Sequence, residues 1–165
     1  SKKYSCIRLS FDSLIDGILV QNIKFLLESK NYNSYYIKFG NTVYSRNFNS
    51  ITNTFDKKTS DAIKRTGISI RKLDSYSYLV NSNDKIRTYN INLKKNQISL
   101  NNDFFVIVAS DSPVNNSILS NTLNLVDYTT FSENLYENDI PILIIYKDNG
   151  SYIFKHSKSF EAYFD

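Results

Sequence analysis

Residues 57–73 hold six cations, Lys57, Lys58, Lys64, Arg65, Arg71 and Lys72, against the single carboxylate of Asp61. Side chains of this kind gathered in one stretch neutralise phosphates and release counterions, so the chemistry the spacing favours is contact with a nucleic-acid backbone. The net charge of the 165-residue chain is +4, which leaves the rest close to neutral and makes the basicity local. Lys85, Arg87, Lys94 and Lys95 extend the same surface. A solvated face that keeps the protein dispersed has the same composition.

Other chemistry has thinner support. His156 is the one histidine, and its neighbours Lys155, Ser157 and Lys158 read as a solvated turn. Cys6 is the one cysteine, which excludes an internal disulfide and a multi-cysteine zinc site. Asp111 and Ser112 follow an apolar strand, where ligand crevices form in α/β sheets. Ser110-Asp111-Ser112-Pro113 is equally a helix start, a capping residue followed by proline in the first turn. No phosphate loop, metal-ligand cluster or nucleophile–base set accompanies these residues, so no catalytic group, metal or cofactor is expected.

The elements that must position these groups follow from periodicity. Tyr4–Phe11 alternates as a strand, and Asp12 caps a helix through Glu28. In that helix Leu14, Ile15, Ile18, Leu19, Ile23, Leu26 and Leu27 form the expected core stripe. Ser34–Phe39 and Thr42–Arg46 flank Gly40-Asn41 as a hairpin. Ser60–Thr66 reads as a short helix capped by Ser60 and ended by Gly67. Beyond it, Ile68–Leu73 is either a second helix or a strand with Ile68 and Ile70 facing inward. Tyr76–Val80 and Ile86–Asn92 are strands about a polar turn at 81–84, and Gln97–Leu100 adds a third.

From residue 104 the pattern changes. Phe104–Ala109 and Ile142–Tyr146 are continuous apolar runs of the kind buried on both faces, with an intervening segment long enough for a helical crossover, so parallel pairing is expected. Between them lie a helix, a short strand at Leu123–Asp127 and a helix at Thr130–Glu137. Asp148-Asn149-Gly150 turns the chain into an antiparallel strand, Tyr152–Lys155, and Lys158–Phe164 closes it as a short helix. Both apolar runs are far shorter than the roughly 18–20 residues of a membrane helix. The whole reads as α+β in a single compact domain, residues 1–165, with a sub-boundary near 95–103. An N-terminal strand-helix-hairpin portion precedes a βαβ-type portion.

Two segments resemble known families. Ile63–Leu73 with the later Lys85-Ile86-Arg87-Thr88-Tyr89 is similar to the helix-turn-helix and wing of MerR-type and excisionase-type DNA-binding proteins. The resemblance implies that Gly67 makes the inter-helix turn and that Lys64, Arg65, Arg71, Lys72 and Arg87 meet DNA. Asp139–Gly150, with its proline before an apolar strand and its Lys-Asp-Asn-Gly turn, resembles the C-terminal half of the thioredoxin fold. That resemblance implies a cis Ile140–Pro141 peptide and, without thiols, scaffolding or recognition in place of redox chemistry.

The composition, 21 Asn against 3 Ala with abundant Ile, Lys and Tyr, is that of an AT-rich coding sequence, as in viral, phage or plasmid genomes. The expected function is therefore non-enzymatic nucleic-acid binding in the cytoplasm or a virion. A viral or phage assembly protein, with a protein partner or homo-oligomer, is the alternative, and a thiol-less thioredoxin-like interaction module is the third.

Overall fold

The computed structural model describes residues 12–49, 52–81, 90–92, 97–99, 104–125 and 139–165. The class is α+β. Helix α1 (Asp12–Ser29) leads into the hairpin β1 (Tyr35–Phe39) and β2 (Thr42–Arg46). Helix α2 (Lys57–Thr66) precedes β3 (Ser75–Asn81), followed by the short pair β4 (Asn90–Asn92) and β5 (Gln97–Ser99). Then come β6 (Phe104–Ala109), α3 (Pro113–Leu125), β7 (Ile142–Asp148), β8 (Ser151–His156) and a 3-10 helix (Lys158–Tyr163).

Six strands form one sheet in the order β1-β2-β3-β6-β7-β8, and every neighbouring pair is antiparallel. The expected parallel pairing of Phe104–Ala109 with Ile142–Tyr146 is thus corrected: Phe104 faces Tyr146 and Val108 faces Ile142. The apolar runs are continuous because helices cover both faces of the sheet, and two-sided burial requires a covered sheet, whatever its strand direction. On one face Val106, Val108, Ile142 and Ile144 pack with Leu123 of α3. On the other, Phe105, Ile107, Leu143 and Ile145 pack with Ala62 and Ile63 of α2 and with Phe160 of the 3-10 helix. The Ile140–Pro141 peptide is trans, so the cis bond that the thioredoxin resemblance implies is not present.

The sequence Ser75-Tyr76-Ser77-Tyr78 divides β3 between these layers, since successive side chains point to opposite faces. Tyr76 and Tyr78 join the core under α2. Ser75 and Ser77 turn toward α3, where Asn116 and Ser120 meet them. Small side chains on that face let α3 lie close to the sheet.

Helix α1 buries a different stripe from the expected one. Val20 is fully buried, whereas Ile15 is 46% and Leu26 58% exposed, and Ile18, Ile23 and Phe25 are exposed as well. The packing face is set by Gly17. A Cβ there would lie 2.7 Å from Ser117 Cβ and 2.8 Å from the Pro113 carbonyl oxygen, so only a glycine lets α1 and α3 touch at this crossing.

Other corrections are local. Leu123–Leu125 belongs to α3, so the short strand expected at 123–127 does not begin there. The cap of α2 is Asp56, whose Oδ1 accepts from the Thr59 N–H at 2.8 Å; Ser60 is inside the helix. Gly67 ends α2 with φ 76°, a left-handed conformation suited to glycine. The hairpin β1–β2, the antiparallel β7–β8 pair and the closing short helix are as expected, whereas β3, which runs through Asn81, pairs with β2 and β6 and β4 pairs with β5. The strand at Tyr4–Phe11, the turn residues 82–84 and the helix at Thr130–Glu137 lie outside the described residues. No helix among the described residues is long and apolar enough to cross a membrane.

Candidate functional site

One end of the sheet gathers polar groups from four elements. Pro113 occupies the first turn of α3, and Ser112 Oγ accepts from the Asn115 N–H at 3.2 Å, so the cap is Ser112. Asn116, one turn further on, is fully buried. Its Nδ2 donates to Ser110 O at 2.9 Å and to Ser75 Oγ at 3.1 Å, and its Oδ1 accepts from Ser110 Oγ at 2.6 Å. Deeper along the helix, Ser120 and Ser77 lie 3.3 Å apart, and Ser77 meets Thr42 at 3.1 Å. All these groups are neutral, and their mutual hydrogen bonds offset the cost of burying them.

Two carboxylates flank the network, Asp74 just before β3 and Asp111 just after β6. Asp74 accepts from Ser45 Oγ at 3.2 Å and pairs with Lys72 at 3.3 Å. Asp111 is exposed, and its backbone carbonyl accepts from Lys24 Nζ at 3.2 Å, which places Lys24 4.4 Å from the centre of the Tyr44 ring. Burial raises the Tyr163 hydroxyl pKa above its ordinary value, and the negative charges of Asp111 and Asp74 add to the shift. Burial likewise raises Tyr44, with Glu28 the next cause.

A second feature is an open cleft of about 220 Å³ beside α2. Phe55, Ile63 and Ile70 give it an apolar lining, and Thr52, Ser60 and Lys64 give it polar groups. The approach to the cleft is rigidly tied. Asn53 Nδ2 donates to Arg71 O at 2.8 Å and its Oδ1 accepts from the Leu73 N–H at 2.8 Å, while the Thr54 N–H donates to the Tyr76 hydroxyl at 2.7 Å. Phe55 packs on Tyr76 and Tyr78 at centroid distances of 5.2 and 5.5 Å.

The described basic residues are divided between α2 and the extended segment after it. Lys57 and Lys58 lie in the first turn of α2, Lys64 and Arg65 in its last. The guanidinium of Arg65 sits 5.5 Å from the Tyr152 ring centre. Residues 68–73 are extended rather than helical, with Ile70 bridged to Phe164, so the second helix of the helix-turn-helix resemblance is absent. Within that stretch Arg71 pairs with Asp165 at 3.4 Å, and Lys72 with Asp74. Lys85, Arg87, Lys94 and Lys95 lie outside the described residues, as do 100–103 of the expected sub-boundary. His156 ends β8 between Phe154 and Phe164 rather than standing in a solvated turn. Among the described residues no group of three or more His, Cys, Asp or Glu side chains could hold a metal ion.

Sequence reasoning reached Asp111 and Ser112 but missed Asn116, Ser75 and the cleft. The signal available was the pairing of alternate serines in β3 with small polar residues at 116, 117 and 120, which repeat at helical spacing on one face of α3.

No family model matches the chain, and neither does any curated protein. Solved structures do. The Pseudomonas stutzeri flavinyl transferase ApbE, in its apo form, superposes with a TM-score of 0.67 at 14% identity over 95% of this chain. The Vibrio cholerae flavin transferase ApbE, in two structures, gives 0.68 and 0.63 at 16% identity over 94% of this chain. The chain spans 52% of the length of each of these proteins. This likeness overturns the expectation of a non-enzymatic nucleic-acid-binding protein, and with it nucleic acid as partner and the virion-assembly alternative. The basic segment on which that expectation rested is one capped helix followed by an extended stretch in which Arg71 pairs with Asp165 and Lys72 with Asp74. At this identity the likeness is one of fold alone.

Proposed function

We propose that the chain is a flavin-binding unit of an enzyme of the flavin-transferase type. The observation that carries the reading is the match in fold along 94–95% of the chain to proteins named for flavin transfer. The chemistry of the described residues is compatible with it. A flavin presents a flat, largely apolar ring and polar carbonyl and phosphate groups, and binding it calls for an apolar slot with a few placed polar groups. The cleft beside α2 has that composition. The sheet end, with Asp74, Asp111 and Ser110, supplies carboxylates and a hydroxyl of the types that accept a proton from, or hydrogen-bond to, a reacting group.

The test is transfer itself. A cell extract incubated with FAD, with and without the purified chain, is separated under denaturing conditions and viewed by flavin fluorescence. The proposal expects a fluorescent protein band that depends on both the chain and FAD. Identical lanes would count against transfer by this chain.

A further inference from the structure

We propose that the outer face of α1 is a contact between two copies of this chain, packed antiparallel about a two-fold axis at Asn22. The helix turns its charges inward. The Asp16 carboxylate lies against Gly40, Lys24 donates to the Asp111 carbonyl, and Glu28 accepts from the Tyr35 hydroxyl and pairs with Arg46. Gly17 against α3 and Val20 against β1 complete that inner side. On the outer side Ile15, Ile18, Asn22, Phe25, Leu26 and Ser29 fall in one stripe at helical spacing, uncharged and exposed throughout. A surface helix ordinarily does the reverse, with its apolar stripe toward the core and its charges toward water.

The area suits a pair. Ile15, Ile18, Phe25 and Leu26 are about half exposed and leave roughly 400 Å² uncovered on each copy, so with Asn22 and Ser29 two copies would bury about 1,000 Å², the size at which an interface becomes specific. The stripe also matches itself. Asn22 stands midway between Ile15 and Ser29, and an antiparallel pair centred there sets Ile18 against Leu26 and one Asn22 against the other. An amide both donates and accepts, so two related by a two-fold axis satisfy each other and fix the register, as a single Asn does in paired helices. Antiparallel packing sets the N-terminal end of each helix beside the C-terminal end of the other, where the macrodipoles attract. A lipid surface fits less well, because a helix lying in one turns its polar side to the headgroups, and the polar side of α1 is packed on its own protein.

Sedimentation equilibrium of the full chain over a concentration series tests this. The wild type should form a dimer with a dissociation constant of about 10 μM or below, and Ile18→Glu or Leu26→Glu should weaken it at least tenfold. At dilutions where the copies are apart these side chains face water, so both variants should keep the wild-type urea midpoint there. Oxidative cross-linking reads the register. In a Cys6→Ser background, Asn22→Cys should yield a disulfide-linked dimer and Ile15→Cys, set against Ser29 of the other copy, should not. A monomer at every concentration, or a dimer that both glutamate variants leave unchanged, would overturn the proposal. So would equal cross-linking at both positions, which requires parallel helices, or a monomer that floats with phosphatidylcholine vesicles, which would give the face to lipid.

Discussion

The side-chain amide of Asn116 donates to Ser75 Oγ at 3.1 Å and thereby ties α3 to the first residue of β3 across 41 positions of sequence. Both residues are buried, and Ser110 completes the set from the end of β6. Asn116→Ala removes all of these bonds and takes from the buried Ser75 hydroxyl its Asn116 partner. A loss of about 2–3 kcal/mol is expected from urea unfolding. A variant as stable as wild type would mean the network contributes nothing.

Gly17 tests the α1–α3 crossing. Intrinsic helix propensity favours alanine over glycine by about 1 kcal/mol. The contacts at 2.7 and 2.8 Å oppose it, and overpacking of this kind costs about 1–3 kcal/mol. Gly17→Ala should therefore lower the urea midpoint, whereas Ile15→Ser on the exposed stripe should shift stability by no more than about 0.5 kcal/mol. A raised midpoint for the alanine variant would contradict the close approach.

These elements also show what the sequence discloses and what it withholds. The hairpin about Gly40-Asn41 and the turn at Asn149-Gly150 were legible because turn chemistry is local. The split of β3 is carried by Ser75-Tyr76-Ser77-Tyr78, where a period of two fixes which side chains share a face, but the strand expected from the sequence began at Tyr76 and left Ser75 out. Helix α1 was legible as a helix, but its buried side was not. Apolar residues surround it, and the choice between Ile15 and Val20 is made by Gly17 against Ser117, a contact one hundred positions away in the chain. Strand direction at β6 and β7 was hidden for a similar reason, because burial on two faces carries no information about polarity. Asn116 was one asparagine among 21, and only its position under Ser75 sets it apart.

The cap of α2 separates two adjacent candidates. Asp56→Ala loses the bond to the Thr59 N–H and should cost about 1 kcal/mol, while Ser60→Ala, inside the helix, should be close to neutral. Thermal or urea unfolding of the pair decides between them, and the reverse order would place the cap at Ser60.

Alkaline stability follows from the buried tyrosines. Burial first, and then Glu28, pushes the Tyr35 hydroxyl from 10.0 up to about 12; burial and then Asp56 push Tyr78 to about 12. The unfolded chain then releases these protons at lower pH than the folded one. The stabilisation is present in full below pH 10 and is lost as pH rises toward 12. Urea midpoints should fall between pH 9.5 and pH 11.5, and Tyr78→Phe should fall less steeply. A midpoint independent of pH over that window would contradict the burial of both hydroxyls.

Equilibrium binding of a flavin is the most direct test of the central claim. FMN fluorescence is titrated with the purified chain, and equilibrium dialysis checks the stoichiometry. A flavin-binding unit predicts saturable change in emission, one FMN per chain, and a dissociation constant below about 1 mM. Emission that stays constant, with FMN and FAD distributing equally across the dialysis membrane at that protein concentration, would contradict it.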